Sequence, residues 1–172
     1  MQNPLDNYAR MLSRIDELCR GIEDALAGQI SCTEGCSSCC TSITIFPVEA
    51  AALKTAIATL PAEEAIAIRR HVVEHEGGER CPLLHRHRCL LYHARPIICR
   101  THGLPVLYTQ ESGQVIDCCP HNQVVRETLA GSSIIDLDRL NTLLVAVNAL
   151  FRSQTGAIDL PDRLTIAEAL RP

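Results

Sequence analysis

Cys32-Thr-Glu-Gly-Cys36-Ser-Ser-Cys39-Cys40 puts four cysteines into nine residues. Cys81, Cys89, Cys99, Cys118 and Cys119 follow, so nine of the ten cysteines lie between residues 32 and 119 and only Cys19 stands apart. Such density calls for metal, disulfides or redox chemistry, and the choice decides what organises the middle of the fold. Three features weigh against disulfides. The opening MQNPLDNYARML has no basic start leading into an apolar stretch and a small-residue cleavage site, so the expected compartment is the reducing cytoplasm. A chain of 172 residues, 47% of them apolar, buries enough surface to fold without covalent staples. Adjacent pairs such as Cys39-Cys40 and Cys118-Cys119 suit separate, unstrained bridges poorly. Metal binding is the reading that fits best.

The flanks of this segment read as helices. Over residues 4–27, Leu5, Tyr8, Leu12, Ile15, Cys19, Ile22 and Leu26 step by three and four and so share one stripe. Asn3 is the cap, Pro4 suits the first position, and Gly28 ends the helix. The stripe suits a core-facing helix, and it also suits a seam with a second copy of the chain. Cys19 lies on it between Ile15 and Ile22 and is expected to be a small buried group rather than a ligand.

Thr41 to Phe46 is β-branched and extended, Pro47 opens an alanine-rich helix to about Leu60, and Pro61 opens another that ends at Gly77-Gly78. Glu111-Ser-Gly between two β-rich runs predicts a hairpin. Leu137, Leu140, Leu144, Val147 and Phe151 form a second stripe, with Asp136 as cap and Gly156 as stop. Thr165 to Glu168 is a capping-box pattern for a short last helix. The fold class expected is mainly α with small β-hairpins, its helices packed around a cysteine-rich metal-binding core. Residues 1–172 are expected to form a single metal-binding domain whose motif-bearing part spans about 32–119.

Several function classes are disfavoured. No apolar run approaches the roughly 20 residues that cross a bilayer, so no membrane partner is expected. The net charge of −4 and only five aromatic residues argue against a nucleic-acid surface. No Ser-His-Asp arrangement, HExxH or phosphate-binding glycine loop favours a named reaction, so neither an enzyme class nor catalytic residues are assigned.

Thiolate is a soft, charged ligand that suits zinc, copper(I) and iron–sulfur clusters. Cys36-x-x-Cys39 is a two-ligand turn preceded by Gly35, a residue that accepts positive φ. Residues 80–102 hold Arg80, Arg86, Arg88, Arg95 and Arg100 and no acidic residue. Those cations balance buried thiolate charge, with Arg95 and Arg100 favoured because they bracket Cys99. His85, His87, His93 and His102 are set aside as ligands because sulfur is plentiful. His71 and His75, at i and i+4, are expected to be solvated histidines.

The pattern resembles a bacterial cysteine-cluster family described as a zinc- or iron-chelating domain. The resemblance is carried by Cys32-x3-Cys36-x2-Cys39-Cys40, Cys81-Pro-Leu-Leu, Cys89-Leu-Leu-Tyr, Arg95-Pro, Cys99-Arg and a later Cys118. It covers about half of the chain and implies a metal-ion-binding protein with a structural or metal-handling role. The expected ligands are Cys32, Cys36, Cys39, Cys40, Cys81, Cys89, Cys99 and Cys118, with the choice between Cys118 and Cys119 open. Zinc is the expected ion, and iron or a 4Fe–4S cluster is the alternative, which would make the chain an iron–sulfur redox protein. A metal-dependent enzyme acting on an anionic substrate is the third reading. Eight cysteines suffice for two four-thiolate sites, or for one site plus packed thiols.

Overall fold

A computed structural model describes residues 3–32 and 35–171. In chain order the elements are α1 (Asp6–Ala25), β1 (Thr44–Ile45), α2 (Pro47–Ala58), α3 (Ala62–Glu74), β2 (Leu84–His85), β3 (Arg88–Cys89), α4 (Ile97–Thr101), β4 (Val106–Gln110), β5 (Gly113–Asp117), β6 (Ile135–Asp136), α5 (Leu137–Thr155), β7 (Leu164–Thr165) and α6 (Ile166–Leu170). Single 3-10 turns connect some of them, Tyr92–Ala94 among these. About half of the chain is helical and the sheets are small, as the hydrophobic periodicity predicts.

Two compact units divide the chain. One takes Met1–Asp6, Glu34–Pro96 and Asn148–Pro172, and the other takes Asn7–Thr33 and Ile97–Val147. The division falls inside α5, after Val147.

In the first unit α6 packs against α2 and α3, and β1 pairs antiparallel with β7. Ile45, Leu53, Ile57, Ile68, Val72, Leu83 and Ile166 are central to its apolar core, each 4% exposed or less. Pro47 supplies the fixed φ of a first helical turn, and the buried Glu49 carboxylate accepts the Phe46 backbone N–H at 3.0 Å, satisfying a donor at the start of α2. The Asn148 side chain accepts the Val48 N–H at 3.1 Å. The capping box at α6 forms as predicted: Thr165 Oγ1 accepts from Glu168 N–H at 3.1 Å, and Glu168 accepts from Thr165 N–H at 2.7 Å. That reciprocal bond holds the Glu168 carboxyl below its ordinary value.

In the second unit α1 buries Tyr8, Ile15, Cys19 and Ile22, and Leu26 just after it is buried too, all members of the predicted stripe. The Asn3 side chain accepts the Leu5 N–H at 3.0 Å just before the helix. Arg100 of α4 pairs with both carboxylate oxygens of Asp16 on α1, at 2.7 and 2.8 Å. The Cys19 thiol faces the Arg100 carbonyl at 3.7 Å. The predicted hairpin is β4–β5, turning at Glu111-Ser112. Its other edge carries a pairing that local sequence does not announce: β4 runs parallel to β6, with Val106 opposite Ile135.

Candidate metal centre

The thiols sort by unit. Cys36, Cys39, Cys40, Cys81 and Cys89 belong to the first; Cys19, Cys32, Cys99, Cys118 and Cys119 belong to the second. Cys39, Cys40, Cys81, Cys89, Cys118 and Cys119 are free, half-buried thiols, whereas Cys32 and Cys36 are exposed.

Two local devices assemble the first set. One is the β2–β3 hairpin, whose register puts Leu84 opposite Cys89. Its turn residues, Arg86 and His87, have φ of 48° and 64°, a left-handed conformation that matches the twist of a two-residue hairpin. The other is the Cys36–Cys40 turn, closed by a Cys40 N–H to Ser37 carbonyl bond of 3.1 Å. The two are stitched together: Cys81 N–H donates to the Cys40 carbonyl at 3.0 Å, and Ser42 N–H donates to the Glu79 carbonyl at 2.8 Å. Ser37 Oγ meets His87 Nδ1 at 3.1 Å. Arg80 donates to the Ser37 carbonyl and, at 3.3 Å, to the Ser38 carbonyl, so one guanidinium spans the turn between Cys36 and Cys39.

Burial and neighbouring charges set the thiol electrostatics. Burial, and then the neighbouring Cys39, Cys81 and Cys89, push the Cys40 thiol up to about 11, against the pull of Arg80. Burial raises Cys81 as well, opposed by hydrogen bonds from the Leu83 and Leu84 backbone and by Arg80. Burial raises Cys89, opposed by a backbone hydrogen bond from Leu91 and by Arg95. Cys81 and Cys89 pack against the apolar core of the unit. Arg95 is itself held by the Tyr92 carbonyl at 2.9 Å and lies over the Tyr92 ring at 3.5 Å.

Cys32 and Cys119 of the second unit approach Gly103. With φ of 93°, Gly103 holds a conformation that side chains resist, and a Cβ there would meet Cys119 Cβ and Cys32 Cβ, both at 3.6 Å. Cys119 N–H donates to the Gly103 carbonyl at 3.2 Å, and Asn122 Nδ2 donates to the same oxygen at 2.6 Å. Asn122 also accepts the Ser31 N–H at 2.8 Å, which ties the segment before Cys32 to this corner. Cys118 adjoins it in sequence, and Cys99 lies on α4, the short helix before Gly103. The open choice between Cys118 and Cys119 thus finds Cys119 beside Cys32, a proximity no local motif could signal.

Arg95, favoured for bracketing Cys99, acts instead on the Cys89 thiol. Arg100, the other favoured arginine, directs its guanidinium to Asp16, and Arg80 takes the place beside Cys40 and Cys81. Among the described residues, no three cysteine sulfurs lie within 4.8 Å of one another. Zinc–sulfur bonds of about 2.3 Å set the sulfurs of a tetrahedral site about 3.8 Å apart. The group that does meet the 4.8 Å spacing is His71, Glu74 and His75. Glu74 thus stands with the two histidines that the sequence reads only as solvated side chains.

No helix among the described residues is long and apolar enough to cross a membrane. Neither a curated protein nor a solved structure matches the chain. A family model named for a CxxCxxCC pattern, and described as a "putative zinc- or iron-chelating domain", matches residues 31–120. That span is more than half of the chain and holds every cysteine except Cys19; the chain belongs to this zinc- or iron-chelating family.

Proposed function

We propose that the chain binds metal ions through cysteine thiolates, that zinc is its resident ion, and that the metal has a structural or metal-handling role in a reducing, cytoplasmic setting. The observation that carries this reading is the environment of Cys39, Cys40, Cys81 and Cys89. Cys39, Cys81 and Cys89 act on the Cys40 thiol, backbone donors address the Cys81 and Cys89 sulfurs, and Arg80 and Arg95 supply positive charge. A neutral packed thiol needs none of these supports. A buried thiolate, charged and fixed as a ligand, needs all of them.

Cys39, Cys40, Cys81 and Cys89 are the ligands we assign to the first unit, with Cys36 next to them in the turn. Cys32, Cys99 and Cys119, with Cys118, are those assigned to the second. Bound zinc would supply the cross-link that turns each set into a folded unit. The chain's own residues orient the sulfurs, balance their charge and keep part of the set away from water. A sulfur-only donor set with no assigned catalytic partner favours a closed structural zinc site over an open catalytic one. An iron–sulfur cluster uses the same four-thiolate chemistry and is the second reading.

Elemental analysis and a visible spectrum of protein purified without oxygen decide between them. Stoichiometric zinc in a colourless sample is the expected result. Brown protein with stoichiometric iron and sulfide would replace zinc by a cluster. Fully reduced thiols that take up neither zinc nor iron would overturn the metal-binding reading.

A further inference from the structure

The last turn of α3 carries His71 and Glu74, and His75 caps it; none of the three belongs to the thiol sets. One donor atom from each lies within 4.8 Å of the other two; His71 is half-buried, and Glu74 and His75 are exposed. Two hydrogen bonds settle which ring nitrogens carry protons, because a carbonyl only accepts. His71 Nε2 donates to the Leu84 carbonyl at 3.1 Å, which leaves the Nδ1 lone pair. His75 Nδ1 donates to the His71 carbonyl at 2.8 Å, which leaves the Nε2 lone pair. Imidazoles that ligate metals are held in this way, with the second nitrogen bonded to a carbonyl or carboxylate.

The surroundings also favour a cation. The carbonyl end of a helix concentrates partial negative charge. The His71 and His75 rings lie 4.0 Å apart, and the His85 ring stands edge-on to His71 at 5.0 Å. Two imidazolium charges at that spacing repel, whereas a metal ion takes up both lone pairs. Arg70 approaches Glu74 at 3.8 Å with both side chains well exposed, a weak contact that a metal readily displaces. Glu76, the next acidic residue, is paired with Arg171.

We propose that His71, Glu74 and His75 form a second, exchangeable site for a borderline divalent transition ion such as zinc, nickel or cobalt. His85 stands beside them as a further donor. Two imidazoles and a carboxylate suit such ions and do not select copper(I) or iron–sulfur clusters, which require sulfur. Bonds of about 2.0–2.1 Å from zinc to nitrogen bring donors to about 3.4 Å apart, a closure the exposed Glu74 and His75 side chains make by rotation. Three protein ligands leave a position for water, so this ion exchanges where a four-thiolate ion is retained.

Zinc added to reduced protein whose tight sites are already filled tests the proposal. Equilibrium dialysis should count one further equivalent. Long-range 1H–15N spectra should show it at Nδ1 of His71 and Nε2 of His75. H75Q should lose this equivalent and E74Q should weaken it several-fold, while H121Q keeps it. An unchanged melting transition of H75Q without added zinc would separate loss of the site from loss of the fold. E74Q and the parent spectra carry the test if H75Q does not fold. Absence of the added equivalent, its retention in H75Q, or binding at the nitrogens that donate to the carbonyls would overturn the proposal. Uptake at these imidazoles by protein whose thiols hold no metal would sink the thiolate reading and leave this one standing.

Discussion

The two thiol sets rest on different supports. Cys81 and Cys89 pack against an apolar core, one just before the β2–β3 hairpin and the other on it, with burial raising their thiols and backbone donors opposing it. Cys32 and Cys119 meet at a corner defined by one glycine, where Cys32 is exposed and backbone and amide hydrogen bonds hold the chain. Desolvation works against the thiolate in the first set, and Arg80, Arg95 and N–H groups oppose it without cancelling it. The second set relies on backbone conformation. Metal loss should therefore expose a core in one unit and loosen a loop junction in the other.

The largest expected effect comes from Cys81→Ser combined with Cys89→Ser. Zinc held by thiolates contributes on the order of 10 kcal/mol to the folding of small sites. This double variant should lose the metal of the first unit and open residues 79–96 to limited proteolysis, with α1 still protected. Cys32→Ser with Cys119→Ser should remove metal from the second unit and leave residues 79–96 resistant. Identical cleavage patterns in the two variants would erase the distinction between the sets.

Titration sharpens the same contrast. Cys40 has its thiol pushed from an ordinary 9.0 up to about 11 in the folded chain, so folding favours the neutral form. In metal-free, reduced protein that contribution is fully present below pH 9.0 and is lost as pH rises towards about 11. The melting temperature should fall over this window, and Cys40→Ser should flatten the fall. Zinc works in the opposite direction, because each ligand must shed its proton. Calorimetry near pH 7 in buffers of different ionisation enthalpy should show close to one proton released for each first-unit thiol that coordinates. No release would mean that these thiols are not the ligands.

Gly103→Ala is a milder and more local test. A side chain in left-handed backbone costs roughly 1–2 kcal/mol, and the 3.6 Å approaches to Cys32 and Cys119 are ordinary contacts, so the strain lies in the backbone. Weaker metal retention in the second unit, with the first unit unaffected, is expected from equilibrium dialysis. Cys19→Ala should have the smallest effect: about 1 kcal/mol of stability and no change in metal content by elemental analysis. Metal released by this variant would contradict its place on the α1 stripe.

Features that repeat locally were readable in the sequence. The 3-4 stripes of α1 and α5 are each a single-helix property, and so are the Asn3 cap and the Thr165–Glu168 box, whose partners are two and three residues apart. The β4–β5 turn is likewise local. What escaped depends on distant partners. Arg100 answers to Asp16 across 84 positions, a pairing that no local pattern announces. Arg80 reaches back 42 positions to Ser38. Cys119 is neighbour to Cys32 only because Gly103 brings both to one corner. Glu74 lies on the same turn as His71 and His75, a placement legible from i, i+3, i+4 spacing alone.

The stitch between Cys40 and Cys81 bears on synthesis as well as on the finished fold. A ribosome adds about 5–20 residues per second, so Cys39 and Cys40 emerge several seconds before Cys81 and the hairpin that carries Cys89. That hairpin closes within about 10 μs once made. Throughout the interval Cys36, Cys39 and Cys40 are thiols without their later neighbours, open to oxidants or to any ion that two or three sulfurs can hold. The chain therefore meets its greatest risk of mispairing while half-made, and free zinc and reductant at the exit tunnel should govern yield more than conditions after folding.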